Sequence, residues 1–249
     1  MRRPAEVERL YLDFDGFFAS VMQQVYPELR GKPVGVVPFA AAANPRAHSC
    51  VIACSREAKV LGLKNVMAIA DAKAACPDLV LVAQEPDLYR RAHKTPILEI
   101  AAVVPIDAVK SIDELTCRVA PEQRADPLAL GRKIKARLRK YVGPYITCSI
   151  GFAANRQLAK MACKAGKRID GRYGDGNCLW HPNDMPGPLL KLPLSDIPGV
   201  GTRMEMRLAL AGIKTMADLL ATQPKHMRKL WRNVTGERLW YALHGYDIQ

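Results

Sequence analysis

The run Val-Glu-Arg-Leu-Tyr-Leu-Asp-Phe-Asp at 7–15 constrains this chain most. It is an apolar strand pattern that ends in two acids and is broken at once by Gly16. Side chains two apart on a strand share a face, so Asp13 and Asp15 point the same way. Phe17-Phe18-Ala19-Ser20-Val21-Met22 then begins a helix, for which Asp15 is the expected cap. A second acidic pair, Asp113-Glu114, stands about 100 residues later at the bend of an expected hairpin, 108–111 with 115–119. If the two strands are neighbours, three or four carboxylates converge. Like charges held together destabilise a fold unless cations neutralise them, and an oxygen-only set selects a hard ion, Mg²⁺ first and Mn²⁺ second. A pair of such ions roughly 4 Å apart would clamp the attacking and leaving oxygens of a phosphoryl transfer. Read from pattern alone, the acids equally suit a helix cap and a decorated turn.

The rest of the chain supplies the expected sheet. Short strands at 34–37, 51–54 and 79–82 alternate with helices at 55–61 and 69–75. A helix over 87–103 contains an awkward Pro96, and an amphipathic basic helix covers 127–141. A strand at 146–152 and a Lys/Arg-rich helix at 155–167 follow. The order strand, helix, strand, strand, helix, strand gives an α+β sheet with helices on one face, interrupted after its first strand by an insertion at 17–82. Residues 39–50 read as a loop around Asn44-Pro45. Gly171, Gly174, Gly176, Pro182, Pro186, Gly187 and Pro188 mark a linker, and 189–249 reads as short helices only.

Lys plus Arg number 37 against 24 Asp plus Glu, a formal net charge of +13 among 249 residues. Such a surplus suits a polyanionic partner, nucleic acid first, or simply a basic soluble protein. No stretch approaches 18 apolar residues, so no membrane-spanning helix is expected. Seven cysteines without a C-x-x-C, and no secretory leader, point to a reducing cytosolic setting rather than a disulfide or zinc framework. Arg156, Lys160, Lys164 and Lys167, with Arg168 beside them, form a basic stripe at helical spacing suited to a triphosphate or a DNA backbone. The basic residues of 127–141 spread around their helix and read as a solvated face. Ile197-Pro198-Gly199-Val200-Gly201 separates two helical patterns and would turn the N–H groups of Gly199, Val200 and Gly201 toward one backbone phosphate.

These residues together resemble the Y-family, translesion DNA polymerases, with the DNA polymerase IV group nearest. Tyr-Leu-Asp-Phe-Asp-Gly-Phe-Phe-Ala-Ser-Val (11–21), Pro-Glu-Leu-Arg-Gly-Lys-Pro-Val (27–34), Ser-Ile-Asp-Glu (111–114), Cys-Ser-Ile-Gly (148–151), Asn-Arg-Gln-Leu-Ala-Lys (155–160) and the 197–201 hairpin carry the resemblance in order. It implies a right-hand core: a ferredoxin-like palm (1–16 and 83–171), a small fingers insertion (17–82) and a helical thumb with a helix-hairpin-helix (172–249). It implies Asp13, Asp113 and Glu114 as the carboxylates for two Mg²⁺, with the Phe14 carbonyl beside them. The backbone over Asp15, Gly16, Phe17 and Phe18 would cradle a dNTP, Phe18 would crowd a ribose 2′-OH, and Arg56, Lys59 and Arg156 would grip the triphosphate. The partners implied are primer-template DNA and dNTPs in a cytoplasmic, nucleoid-associated setting. An accessory protein or sliding clamp stays open, since no Gln-x-x-Leu-x-Phe peptide is seen.

The chain also departs from the family. Arg56 and Lys59 stand where a Tyr and an Arg are usual, and Leu115-Thr116-Cys117-Arg118 replaces the usual aromatic and acid. The chain reaches Gln249 about where a DNA-gripping little finger would begin, which implies weak grip and low processivity. The competing readings are a catalytically silent DNA-binding scaffold that recruits repair proteins, against which the retained acids argue, and a cyclase-like signalling enzyme, against which the hairpin argues.

Overall fold

Strand β1 (Arg9–Phe14) is the centre of the molecule, and its alternation sorts the layers. The computed structural model describes residues 1–43, 49–167 and 175–248; Asn44-Pro45, His48, Arg168, Gly171, Gly174 and Gln249 lie outside them. After β1 come α1 (Phe17–Val25), β2 (Val34–Val37), α2 (Phe39–Ala43), β3 (Cys50–Val51), β4 (Ala53–Cys54), α3 (Arg56–Val60), β5 (Met67–Ala68), α4 (Ile69–Ala75) and β6 (Val80–Ala83). The chain continues through α5 (Pro86–Ala101), β7 (Ile106–Val109), β8 (Glu114–Arg118), α6 (Pro127–Tyr141), β9 (Cys148–Ala153), α7 (Arg156–Gly166) and β10 (Asn177–Leu179). It closes with α8 (Gly187–Leu190), α9 (Thr202–Leu210), α10 (Met216–Leu220), α11 (Pro224–Trp231) and α12 (Val234–Leu243).

The main sheet runs β10-β9-β1-β8-β7, with β1 antiparallel to both β8 and β9. Leu10, Leu12 and Phe14 pack with Ile134 and Leu138 of α6 and Ile100 of α5 in one core. Tyr11, on the opposite face, packs with Leu158, Met161 and Cys163 of α7 in a second core, which continues into α9–α12. The one-face expectation therefore holds for α5 and α6, while α7 covers the other face. Gly151 permits this: a Cβ there would sit 2.1 Å from the Ala159 carbonyl oxygen and 2.2 Å from the Cys163 nitrogen. A separate small core lies under the sheet β4-β2-β6 and the β3-β5 pair.

Three expectations are corrected. Residues 39–43, read as loop, are helical. The segment read as linker contributes β10, parallel to β9 through Asn177↔Ile150 and Cys178↔Gly151. Pro96 lies buried inside α5, as expected. Asp15 does not cap α1, because Gly16 holds the N-cap position at φ +55. Only glycine suits that position, since a Cβ would approach the Cys54 carbonyl oxygen to 2.5 Å. All seven cysteines are free thiols. Among the described residues no helix is long and apolar enough to cross a membrane.

Candidate functional site

The sheet register brings the expected acids to one place. Asp13 and Glu114 are direct partners across β1 and β8, and the Phe14 N–H donates to the Asp113 carbonyl at 2.8 Å. Ser111 shapes the bend: its hydroxyl donates to Asp113 Oδ1 at 2.5 Å and accepts from the Glu114 N–H at 3.1 Å. Asp15 turns to the edge of β9 instead of α1. Ser149 Oγ donates to its Oδ1 at 2.8 Å and Thr147 Oγ1 to its Oδ2 at 3.0 Å.

The basic stripe lies across these acids. Lys160 Nζ donates to both oxygens of Glu114, at 2.9 and 3.0 Å, and sits 3.0 Å from Tyr11 Oη. Lys167 Nζ lies 2.5 Å from Asp13 Oδ1 and 3.8 Å from Asp15 Oδ1. Lys164 pairs with Asp196 at 3.2 Å. Burial, and then the Asp113 and Asp15 charges, hold Asp13 above the usual carboxylate range although Lys167 pulls it down. Burial lowers Lys167, but Asp13 and Asp15 outweigh it and keep that ammonium above its ordinary value. Among the described residues no three His, Cys, Asp or Glu side chains stand at metal-holding spacing; lysine ammoniums are interleaved with the acids. The acids' donor atoms are nevertheless all oxygen, which suits a hard divalent cation.

A cavity of about 170 Å³ opens beside Asp13 and Asp113, with Phe18, Ile52, Lys59 and Lys167 in its wall. Phe18 is half-buried and stacks on Tyr89, ring centres 4.4 Å apart. Phe17 is buried, 5.5 Å from the Phe14 ring. Lys59 is held below its ordinary pKa by burial and by the neighbouring Lys167 charge. Arg56 lines an adjoining cavity of about 220 Å³, which shares Lys59 and Lys167 with the first.

Arg156 is a correction. Helix α7 runs back antiparallel to β9, so eleven residues of helix, roughly 16 Å, separate Arg156 from Lys167. Arg156 stands instead at the far end of the sheet, near Asp107, Arg238 and Asp247. The residue that meets the acids is Lys167, a member of the stripe whose own position linear spacing could not single out. The strand-to-helix reversal selects it.

In the hairpin, Gly199 adopts φ +88 and Gly201 caps α9. Val200 is buried, and its N–H donates to the Ile197 carbonyl at 3.0 Å. The Val200 N–H is therefore committed within the turn and is not available to a phosphate. The Lys164–Asp196 pair ties this turn to α7.

Comparison with known proteins identifies the family. Residues 12–164 match the impB/mucB/samB family, and residues 195–247 match the thumb domain of DNA polymerase-iota. The chain is 36% identical over 242 residues to DNA polymerase IV of Moorella thermoacetica, covering 96% of this chain and 57% of that protein. It is 31% identical over 240 residues to DNA polymerase IV of Pseudomonas aeruginosa, covering 96% and 65%. The chain thus spans less than two thirds of the length of these relatives. An insertion ternary complex of Dbh DNA polymerase superposes with a TM-score of 0.82 at 25% identity, over 97% of this chain and 69% of that one. DinB from Sulfolobus solfataricus superposes with a TM-score of 0.77, also at 25% identity, over 97% and 68%.

Proposed function

This chain belongs to the impB/mucB/samB family as a Y-family, DNA polymerase IV-like core, and from that premise we propose that it adds deoxynucleotides to a primer 3′-OH under the direction of a DNA template. The observation that carries this reading is the pairing of Asp13 with Glu114 at one sheet end, with Asp113 beside them, next to a cavity walled by Lys59 and Lys167. In this reading residues 1–16 and 83–171 act as the palm, 17–82 as the fingers and 172–249 as the thumb. The work is of the translesion type, in the cytoplasm on nucleoid DNA, and of low processivity.

Asp13, Asp113 and Glu114, with the Phe14 carbonyl, would hold divalent cations, two Mg²⁺ in the full reading. When bound, such ions lower the pKa of the attacking hydroxyl and neutralise charge on the phosphoryl oxygens. The residues of the chain do the rest. Primer and nucleotide are held together in the cleft, which removes most of the entropy of their encounter. The 3′-OH releases its proton to solvent, its oxygen bonds to the α-phosphorus, the bond from that phosphorus to the α–β bridging oxygen breaks, and pyrophosphate leaves with the negative charge. Arg56, Lys59 and Lys167 face that charge; Lys167 takes the part that sequence had given to Arg156. Because Lys160 and Lys167 rest on the acids, they neutralise the cleft before cations and triphosphate arrive. Phe18, propped by Tyr89, closes the sugar side against a 2′-OH. The Gly199 and Gly201 N–H groups and nearby lysines grip duplex phosphates without reading bases.

A silent scaffold would have no need to keep three carboxylates in this register. The test is primer extension on templates that differ in one base, with and without Mg²⁺. Template-matched, cation-dependent addition is expected. Addition that ignores the template, or none at all with intact DNA binding, would overturn the reading.

A further inference from the structure

We propose that the outer face of α5 and α6 is a binding surface for single-stranded DNA, separate from the cleft that takes primer and template. The two helices form one layer. Tyr89 and Ile100 of α5 turn inward to the same core as Leu130, Ile134 and Leu138 of α6. Near the surface, Arg137 Nε donates to Glu99 Oε2 at 2.6 Å and ties the helices together. The hairpin residues Ile197 and Val200 belong to the other core, with α7, on the opposite face of the sheet. A duplex gripped by the hairpin therefore lies across the sheet from this layer.

The layer carries more than half of the chain's surplus charge. Helix α5 has three Lys or Arg and α6 has six, against two acids, Asp87 and Glu99. That difference is seven of the net +13. Both acids are already engaged, Asp87 by Arg90 and Glu99 by Arg137. Lys133, Arg137 and Lys140 recur at i, i+4 and i+7, so they share a stripe of α6, and the Arg137–Glu99 pair turns that stripe toward α5. Arg91, Lys94 and Leu98 form the exposed stripe of α5 beside it. Among the described residues none of Arg91, Lys94, Lys133 and Lys140 has an ion-pair partner. Exposed cations gathered in this way repel one another, and a polyanion laid between them removes that cost.

Tyr141 selects the kind of polyanion. It ends α6 and is 51% exposed, with Arg137 and Lys140 each 4.9 Å from its ring centre. An open aromatic ring among cations holds a single strand, because bases stack on the ring while phosphates meet the cations. Lys140, on a flexible stem, can leave the ring for a phosphate. A duplex hides its base faces and would use the cations alone. An acidic protein segment has no base to stack.

The experiment follows fluorescein-labelled oligo-dT binding to the full chain by anisotropy across a salt series, with one equivalent of unlabelled blunt duplex DNA present to fill the cleft. The wild type should still bind the single strand. Tyr141→Ala should weaken that binding by about fivefold or more, the worth of one base stack, and Tyr141→Phe should restore it. Lys133→Gln/Lys140→Gln should lower the slope of log K against log salt by about 1.4, two phosphate contacts at about 0.7 each for a single strand. Lys133→Gln alone changes one exposed residue and should show about half that effect, which keeps the test decisive if the pair folds poorly. Wild-type oligo-dT binding by all of these variants overturns the proposal. Complete loss of oligo-dT binding in the presence of the duplex overturns it too, since one site would then serve both. An oligo-glutamate peptide that competes for the surface and loses the same factor with Tyr141→Ala would assign it to an acidic protein instead. No arm uses nucleotide addition, so a chain that binds the single strand here but extends no primer would fail the polymerase reading and not this one.

Discussion

Lys167 Nζ lies 2.5 Å from Asp13 Oδ1 and 3.8 Å from Asp15 Oδ1, joining the end of α7 to both acids of β1. Arg156, at the start of the same helix, lies at the other end of the sheet. The two residues therefore separate a geometric assignment from one made by motif position. Lys167→Ala should lower kcat/KM for nucleotide insertion by roughly 10- to 100-fold, the worth of a charge-assisted contact. Arg156→Ala should stay within about threefold. Steady-state insertion kinetics for both variants decide it, and the reverse ranking would contradict the geometry.

Phe18 stacks on Tyr89 and is half-buried, whereas Phe17 is buried against Phe14, though both line the cavity. Phe18→Ala should raise ribonucleotide insertion relative to deoxynucleotide insertion by about tenfold or more, since a steric barrier to the 2′-OH is removed. Single-nucleotide insertion with each sugar measures the ratio. An unchanged ratio would move the gate elsewhere.

Much of this was legible in the sequence, for physical reasons that vary by element. The apolar alternation of β1 and the basic amphipathic pattern of α6 are local signals, and both appear where expected. Strand β10 is three residues long beside Gly176, and its only reason to be a strand is β9, more than 20 residues earlier. The partners of Asp15, Thr147 and Ser149, are over 130 residues away, so the acid read locally as a cap. Helical spacing placed Arg156, Lys160, Lys164 and Lys167 on one stripe, but it carries no direction. Only the antiparallel return of α7 over Gly151 shows which end meets the acids.

That return suggests a stability test. A methyl group at residue 151 would stand 2.1 Å from the Ala159 carbonyl oxygen, which is backbone and cannot rotate away. Gly151→Ala should cost about 1–3 kcal/mol or more, as overpacking does, and should also displace Lys160 and Lys167 from the acids. Urea unfolding and insertion kinetics should fall together. A variant with wild-type stability would contradict the close packing.

Acid should weaken the fold in a way tied to named groups. The Arg118 guanidinium, donating at 2.9 Å, holds Asp107 below its ordinary value, and the Asn177 N–H does the same for Asp175. A carboxylate with a depressed folded-state pKa adds stability that is complete above its unfolded value and is lost as pH falls through the folded one. The urea midpoint should therefore drop as pH falls from about 5 to about 3. Arg118→Met should flatten that slope, and an unaltered slope would remove Asp107 from the account.

The central claim is that Asp113 and Glu114, placed against Asp13 by the β1–β8 register, carry the chemistry while other residues carry the DNA. Single-nucleotide insertion by Asp113→Ala and Glu114→Ala, with primer-template affinity measured on the same samples, tests it most directly. The account predicts insertion at least about a thousandfold slower, roughly 4 kcal/mol in barrier, with DNA affinity within about threefold of wild type. Insertion at near wild-type rate by either variant would contradict it.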